Sequence, residues 1–343
     1  MFEADFTERK KARLRRLWWF LLCIFLGFAW LAVDMYHFLS TPASSEPTEV
    51  VIEVAAGMSL PALSDLLKKQ GLVRSAGKFR WLVRVKGAAR EIKAGEYQLS
   101  TGLRPGEVLD KIVRGEVRLH QITFPEGYTI RQMAELLDAR NLASIDYLIA
   151  TATDPTFVHD LGIPASTLEG YLFPDTYLFA KNLPVETILR SFVARFNQHF
   201  GTAQNEKTRK LGFTRHQVVI LASVVEKETA VPEERPLIAG VFLNRLRKRI
   251  RLQSDPTVIY GLKNFDGNLT RAHLLTDTPY NTYTRQGLPA GPICNPGAAS
   301  IQAVLNPEST SYLYFVAKKD GTHHFSISLA EHNAAVLRHQ KKR

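Results

Sequence analysis

The chain runs to 343 residues, 45% of them hydrophobic and 22% charged, with a formal net charge of +11. That composition excludes a disordered chain and leaves room for two domains, or three, each with its own core. The excess of positive charge favours an anionic partner: a lipid surface, an acidic polymer or nucleic acid. Cys23 and Cys294 are the only cysteines, and the first lies in an apolar run, which excludes a disulfide framework and a cysteine zinc site.

Residues 9–16 read RKKARLRR, followed by LWWFLLCIFLGFAWLAV and, past Asp34, MYHFL. A helix over the uncharged run covers about 25 Å, and the continuation carries it across a bilayer core. Trp18, Trp19, Trp30 and Tyr36 stand near its two ends, as an aromatic belt requires. The run is long for a cleaved signal peptide, and LSTPASSEP is a weak small-residue cleavage site. The expectation is a basic cytoplasmic tail (1–16), one transmembrane helix (17–39) and an exported remainder, with the N-terminus cytoplasmic. Export argues against nucleic acid as the partner.

A polar linker rich in Pro and Ser is expected over residues 40–49 (STPASSEPTE). Behind it a strand, a Gly-bearing turn and a helix recur three times. The turns are Gly57, Gly102 and Gly127, and the helices start at Ser59, Arg104 and Thr129. The spacings are too uneven for a solenoid, so a small α/β domain over 50–145 is expected. These units resemble the LysM carbohydrate-binding module, and a generic α/β spacer fits the pattern as well. From residue 150 to 343 the texture is that of a mixed helical and β domain. LEGYLFPDTYLF is aromatic-rich, a helix covers about 184–200, and EERPLIAGVFLNRLRKRI forms another. The stretch 253–297, dense in Pro, Gly, Asn, Thr and Tyr, is long enough to be functional. YLYFVAKKDGTHHFS is a β-hairpin with Asp320 and Gly321 at its turn.

Between the two helices lies LASVVEKETAV. Thr214 and Gln217 make a capping box that starts a helix there. At about 100° per residue, with Glu228 at zero, Leu221, Val224, Val225 and Val231 fall within about 60° of it. Glu228 is therefore central on the apolar face. Glu226 falls about 160° away, among Arg215, His216, Ala222 and Ser223, and is expected to be solvated. Apolar surroundings disfavour a carboxylate and raise its pKa, and a proton kept at neutrality is what a general acid needs. A structural carboxyl paired with a buried Arg or Tyr fits the same pattern.

EGYLFPDTY, EKETAVPEERPLIAGVFLNRL, LQSDPTVIYG, YNTYTRQGLPAGPICNPG and YLYFVAKKDGTHHFS, in that order, resemble the endolytic murein transglycosylases (the MltG, or YceG-like, family). The resemblance covers nearly the whole chain. It implies an α+β protein: a membrane helix, a LysM-like region and a catalytic domain resembling lytic transglycosylases. It also implies cleavage between N-acetylmuramic acid and N-acetylglucosamine within nascent glycan strands, leaving 1,6-anhydromuramic ends. The catalytic residue is then the second Glu of E-K-E-T, Glu228, and the partners are peptidoglycan strands, the inner membrane and the cell-wall elongation synthases (penicillin-binding proteins). Gln253, Asp255, Asn281, Tyr283 and Thr284 are expected to line sugar subsites, with Tyr171 and Tyr177 stacking on sugar faces. Phe173 fits core packing, and Asp255, ahead of Pro256, also fits a helix N-cap.

Other arrangements weigh less. A Ser223–Lys227 dyad has no Gly-rich elbow to support it. His323, His324, His332 and Glu331 match no zinc spacing, and GLPAGPICNPG lacks the phosphate-loop Lys-Ser/Thr, so neither metal nor cofactor is expected. Arg245, Arg247, Lys248, Arg249 and Arg251 read as a solvated helix face or as a contact for stem carboxylates or lipid head groups. Two rival functions stand beside the lyase: a non-catalytic peptidoglycan-binding scaffold for synthases, and a muramidase that uses water.

Overall fold

The computed structural model describes residues 2–229, 231–263 and 265–340, with only the backbone of residues 2–13, so residues 9–13 of the basic run lie outside the described side chains. The architecture is mixed α+β in two compact units, Met1–Leu119 and His120–Arg343. Among the described residues, three separate two-stranded sheets are spread over a mainly helical chain.

The first unit opens with helix α1 (Phe2–Ser40). Its stretch Leu14–Ser40 is long and apolar enough to cross a membrane by length and composition. There follow β1 (Glu49–Val54), α2 (Leu60–Lys69), α3 (Ala76–Val85), β2 (Gly95–Ser100) and α4 (Pro105–Arg114). Strands β1 and β2 pair antiparallel, Glu49 opposite Ser100 and Val54 opposite Gly95. Ile52, Leu63, Leu67, Phe79, Tyr97 and Leu109 are buried between sheet and helices. The end of α1 is part of this unit: Phe38 is buried in its core, and Asp34 pairs with Lys78 at 2.6 Å. The expected linker is also tied down. Ser44 donates its N–H to Thr101 O (3.1 Å), and Thr48 N–H reaches Thr101 Oγ1 (3.0 Å).

The second unit comprises β3 (Leu119–Thr123), α5 (Ile130–Asp138), α6 (Ile145–Ala152), α7 (Pro155–Asp160), β4 (Thr176–Ala180), α8 (Val185–His199), α9 (Thr202–Lys210) and α10 (Arg215–Glu228). It continues with α11 (Arg235–Arg247), α12 (Asp255–Gly261), α13 (Arg271–Leu275), α14 (Ala298–Leu305), β5 (Tyr314–Ala317), β6 (His323–Ser326) and α15 (Leu329–His339). The three expected helix starts are the observed N-caps, Ser59, Arg104 and Thr129. The third strand–turn–helix unit nevertheless belongs to the second unit, because β3 pairs with β4 and Ile122, Ile130 and Met133 enter the second core.

Helix α10 is the axis of that core. The capping box is present, Thr214 Oγ1 accepting from Gln217 N and the Gln217 side chain from Thr214 N. Every residue from Val218 to Val225 is buried, with α9, α11, α12 and α14 packed around the helix. A helix enclosed on all sides has no wet face. The β5–β6 hairpin forms as expected, with Tyr314 opposite Ser326 and Ala317 opposite His323.

Candidate active site

Helix α10 ends at Glu228, where Thr229 turns extended (φ −140°, ψ 138°). The carboxyl therefore sits at a helix C-terminus, whose dipole opposes a negative charge. The hydroxyl of Ser254 donates to Glu228 Oε1. Ser254 is the N-cap position of α12, and its backbone is held by Thr282 Oγ1 (3.0 Å), which in turn meets Thr257 Oγ1 (2.9 Å). Burial pushes the Glu228 carboxyl up to about 7, and the nearby Asp255 charge adds to this. The Ser254 hydrogen bond and the Arg245 guanidinium oppose the rise.

A cleft of about 410 Å³ opens at Glu228. Gln253, Asp255 and Tyr283 form one wall, with residues of the β5–β6 hairpin and α15 lining the rest, His323 and His332 among them. Arg245 is 7% exposed. Its Nε donates to Leu313 O (2.6 Å), its Nη1 to Leu252 O (2.8 Å), and its guanidinium lies 5.0 Å from the Tyr314 ring centre. The expected solvated arginine face is corrected at this position: loop carbonyls without secondary-structure partners recruit Arg245 inward. Arg247, Lys248, Arg249 and Arg251 are exposed. His323 hydrogen-bonds Glu234 Oε2 through Nδ1 (2.6 Å). Burial, then the Arg245 charge, pulls the His332 pKa down.

Of the expected subsite residues, Gln253, Asp255 and Tyr283 share the cleft with Glu228, and Tyr283 donates its hydroxyl to Asp255 Oδ1 (2.5 Å). Thr284 lines an adjoining depression. Asn281 is buried and staples the loop instead, its Nδ2 donating to Leu274 O (3.1 Å) and Thr276 O (2.7 Å). Tyr171 requires correction. It is 0% exposed, edge-on to Phe196, and its hydroxyl meets His216 Nδ1 (2.8 Å), so its ring has no face left for a sugar. Tyr177 is half-buried, donates to Phe173 O (2.7 Å) and packs on Phe124 and Phe192. The cap position ahead of Pro256 is Ser254, not Asp255. Ser254 and Tyr314 escaped the sequence reading, which placed Arg245 on a solvated face and His332 in a rejected zinc cluster; the hydroxyl in Ser-Asp-Pro at a helix start was the one usable signal.

Glu226 is corrected as well. Its side chain is 5% exposed and pairs with Arg235 at 3.2 Å, and it accepts Gly297 N–H at 2.9 Å. Of the two glutamates, Glu226 is the structural ion-paired one and Glu228 the one in the cleft. Cys294 is buried with its thiol on Ser223 O (3.3 Å). Ser223 donates to Ile220 O (2.7 Å) and accepts Ile293 N–H (3.0 Å), leaving no nucleophile for a dyad. A third acid, Glu169, is buried and accepts Ile130 N–H (3.1 Å), Tyr260 O–H (3.0 Å) and Asn295 Nδ2 (3.1 Å). Burial pushes it up to about 8, against the Tyr260 and Ile130 hydrogen bonds. Asn295 Oδ1 also accepts Gly170 and Leu172 N–H, both at 2.9 Å, tying EGYLFPDTY to CNPG. Gly170 has φ +87°, and a Cβ there would meet Pro292 and Val219 within 2.7 Å.

A carboxyl pushed up toward neutrality by burial, with a fixed hydroxyl on one oxygen and an open cleft before it, has what general-acid chemistry requires. A family model described as the YceG-like family matches residues 52–338, and the chain belongs to that family. It is 35% identical over 304 residues to the endolytic murein transglycosylase of Bacillus subtilis (strain 168), with 84% of each chain covered. It is 28% identical over 322 residues to the endolytic murein transglycosylase of Streptococcus pneumoniae (strain D39), spanning 58% of that longer protein. The crystal structure of a YceG-like protein from Listeria monocytogenes is similar at 33% identity with a TM-score of 0.59, covering 84% of this chain and 100% of that one.

Proposed function

We propose that this chain is an endolytic murein transglycosylase that cuts nascent peptidoglycan strands between N-acetylmuramic acid and N-acetylglucosamine. The observation that carries the reading is the Glu228 carboxyl, pushed up to about 7 at the cleft. Glu228 gives its proton to the glycosidic oxygen, and the bond from that oxygen to C1 of the muramic residue breaks. The resulting carboxylate takes the proton of that residue's own C6 hydroxyl, and O6 closes on C1. The products are a free 4-hydroxyl on N-acetylglucosamine and a 1,6-anhydro end; no water enters, and Glu228 ends as it began. The nucleophile is intramolecular, so positioning supplies much of the rate. A group that gives and then takes one proton works best with a pKa near the ambient pH. Gln253, Asp255 and Tyr283 offer the hydrogen bonds that seat the sugars, with Thr284 further along the groove.

Asp255 in the same cleft favours a second reading, hydrolysis by a carboxyl pair. Mass spectrometry of strands digested by the wild type and by Glu228→Gln separates the two. We expect anhydro ends from the wild type alone. Products heavier by one water make the protein a muramidase. Anhydro ends from the variant remove Glu228 from its role.

Around this core, the proposal places α1 across the inner membrane as a single-pass anchor with its N-terminus cytoplasmic and the catalytic unit periplasmic, supported by the apolar stretch Leu14–Ser40. The first unit acts as a LysM-like glycan-binding module, supported by its β–α–α–β order closed by an antiparallel pair. Cutting beside the elongation synthases terminates glycan polymerisation.

A further inference from the structure

The cleft does not end at its Gln253–Tyr283 wall. The same two residues border a second depression of about 510 Å³, so the two adjoin across a shared wall. Its far side is chemically different. Arg251 and Arg271 stand there with Leu274 and Leu275. Arg271 is exposed, and Leu275 is 71% exposed. Arg251 gives one donor to Tyr283 O (3.1 Å), which fixes it at the shared wall. The acids nearby are already engaged. Asp277 holds Arg285 (2.9 and 3.1 Å) and the Thr284 hydroxyl (3.2 Å), and Asp255 accepts from Tyr283.

The lining itself holds two arginines and no acid, so the depression presents net positive charge beside exposed aliphatic surface. Sugar hydroxyls need neither. An acidic peptide with small apolar side chains needs both, and the volume lies within the roughly 300–1,000 Å³ of ordinary ligand sites. We infer that this depression is a binding site for the carboxylate-bearing peptide branch of the substrate strand, which lets the enzyme prefer sugars that still carry their peptide. The inference rests on the murein reading above. Exposed arginine–carboxylate pairs are weak, so each contributes about fivefold at most in kcat/KM, and the preference fades as salt screens them.

The test uses the full-length chain in detergent and three strand preparations: peptide branches intact, branch carboxylates amidated, and branches removed. The wild type is expected to cut intact strands about fivefold better than amidated ones at low salt, with the gap closing in high salt. Arg271→Gln should narrow the difference between the first two substrates, and Arg271→Lys should restore most of it. Equal cutting of intact and amidated strands by the wild type overturns the inference. So does an Arg271→Gln defect of the same size on all three substrates. Failure of the wild type to cut any of them sinks the murein reading itself and takes this one with it.

Discussion

Glu226 and Glu228 differ in their neighbours rather than in their chemistry. Glu226 meets a cation and a backbone N–H, whereas Glu228 meets a hydroxyl and an opposing carboxylate in a confined cleft. In the proposed mechanism the first proton transfer needs Glu228 protonated, so kcat/KM is expected to hold below about pH 7 and to fall about tenfold per unit well above it. Two substitutions should move that basic limb in opposite directions. Ser254→Ala removes a hydrogen bond that favours the anion and shifts the limb to higher pH. Asp255→Asn removes a charge that disfavours the anion and shifts it to lower pH. A pH–rate profile of each variant checks the signs; equal shifts would contradict this assignment of neighbours. Stability gives an independent reading. The folded-state pKa lies above the usual 4.5, so the native state binds the proton more tightly than the unfolded chain. The corresponding stability is present below about pH 4.5 and is lost as pH rises through about 7. Glu228→Gln escapes that loss, so it should melt several degrees above the wild type at pH 8 and close to it at pH 5.

Among the elements, the junction of α10 and α11 matters most, because it sets where the cleft carboxyl stands. The Glu226–Arg235 pair bridges it at 3.2 Å, with side-chain exposures of 5% and 12%. Glu126 lies 3.6 Å from the same guanidinium. Burial, followed by repulsion from Glu226, pushes the Glu126 pKa up. Removing one partner of a buried pair leaves an uncompensated charge, so Arg235→Ala should cost about 3 kcal/mol in denaturant unfolding. Glu226→Gln leaves Arg235 with Glu126 and should cost less. Its defect should be one of stability, whereas Glu228→Gln loses chemistry and keeps the fold. A Glu226→Gln protein that is fully stable yet inactive would contradict that division. The Thr214–Gln217 capping box, the three strand–turn–helix starts and the hairpin were legible in the sequence because each depends on residues within a few positions of one another. The partner of β3 was not, because β4 begins 53 positions after the end of β3 (176 − 123) and nothing local marks it.

On the scale of the whole molecule, α1 is both an apolar segment suited to a membrane and part of a folded unit. Phe38 lies in the core of that unit, and the Asp34–Lys78 pair (2.6 Å) adds a second tie. A chain starting at residue 41 should therefore lose stability in its first unit, whereas one starting at residue 34 should keep it while losing its affinity for detergent. Melting and detergent phase separation of the two truncations check this, and equal stability would show that the end of α1 contributes nothing. By itself the sequence determined the apolar helix and the family and put Glu228 forward as the candidate, since hydropathy, motif order and helical periodicity are properties of contiguous residues. Only the tertiary structure decided that Glu226 is ion-paired, that Tyr171 is core, that Arg245 turns inward and that a second basic depression adjoins the cleft. Burial belongs to whatever packs against a side chain, and those partners arrive from distant parts of the chain.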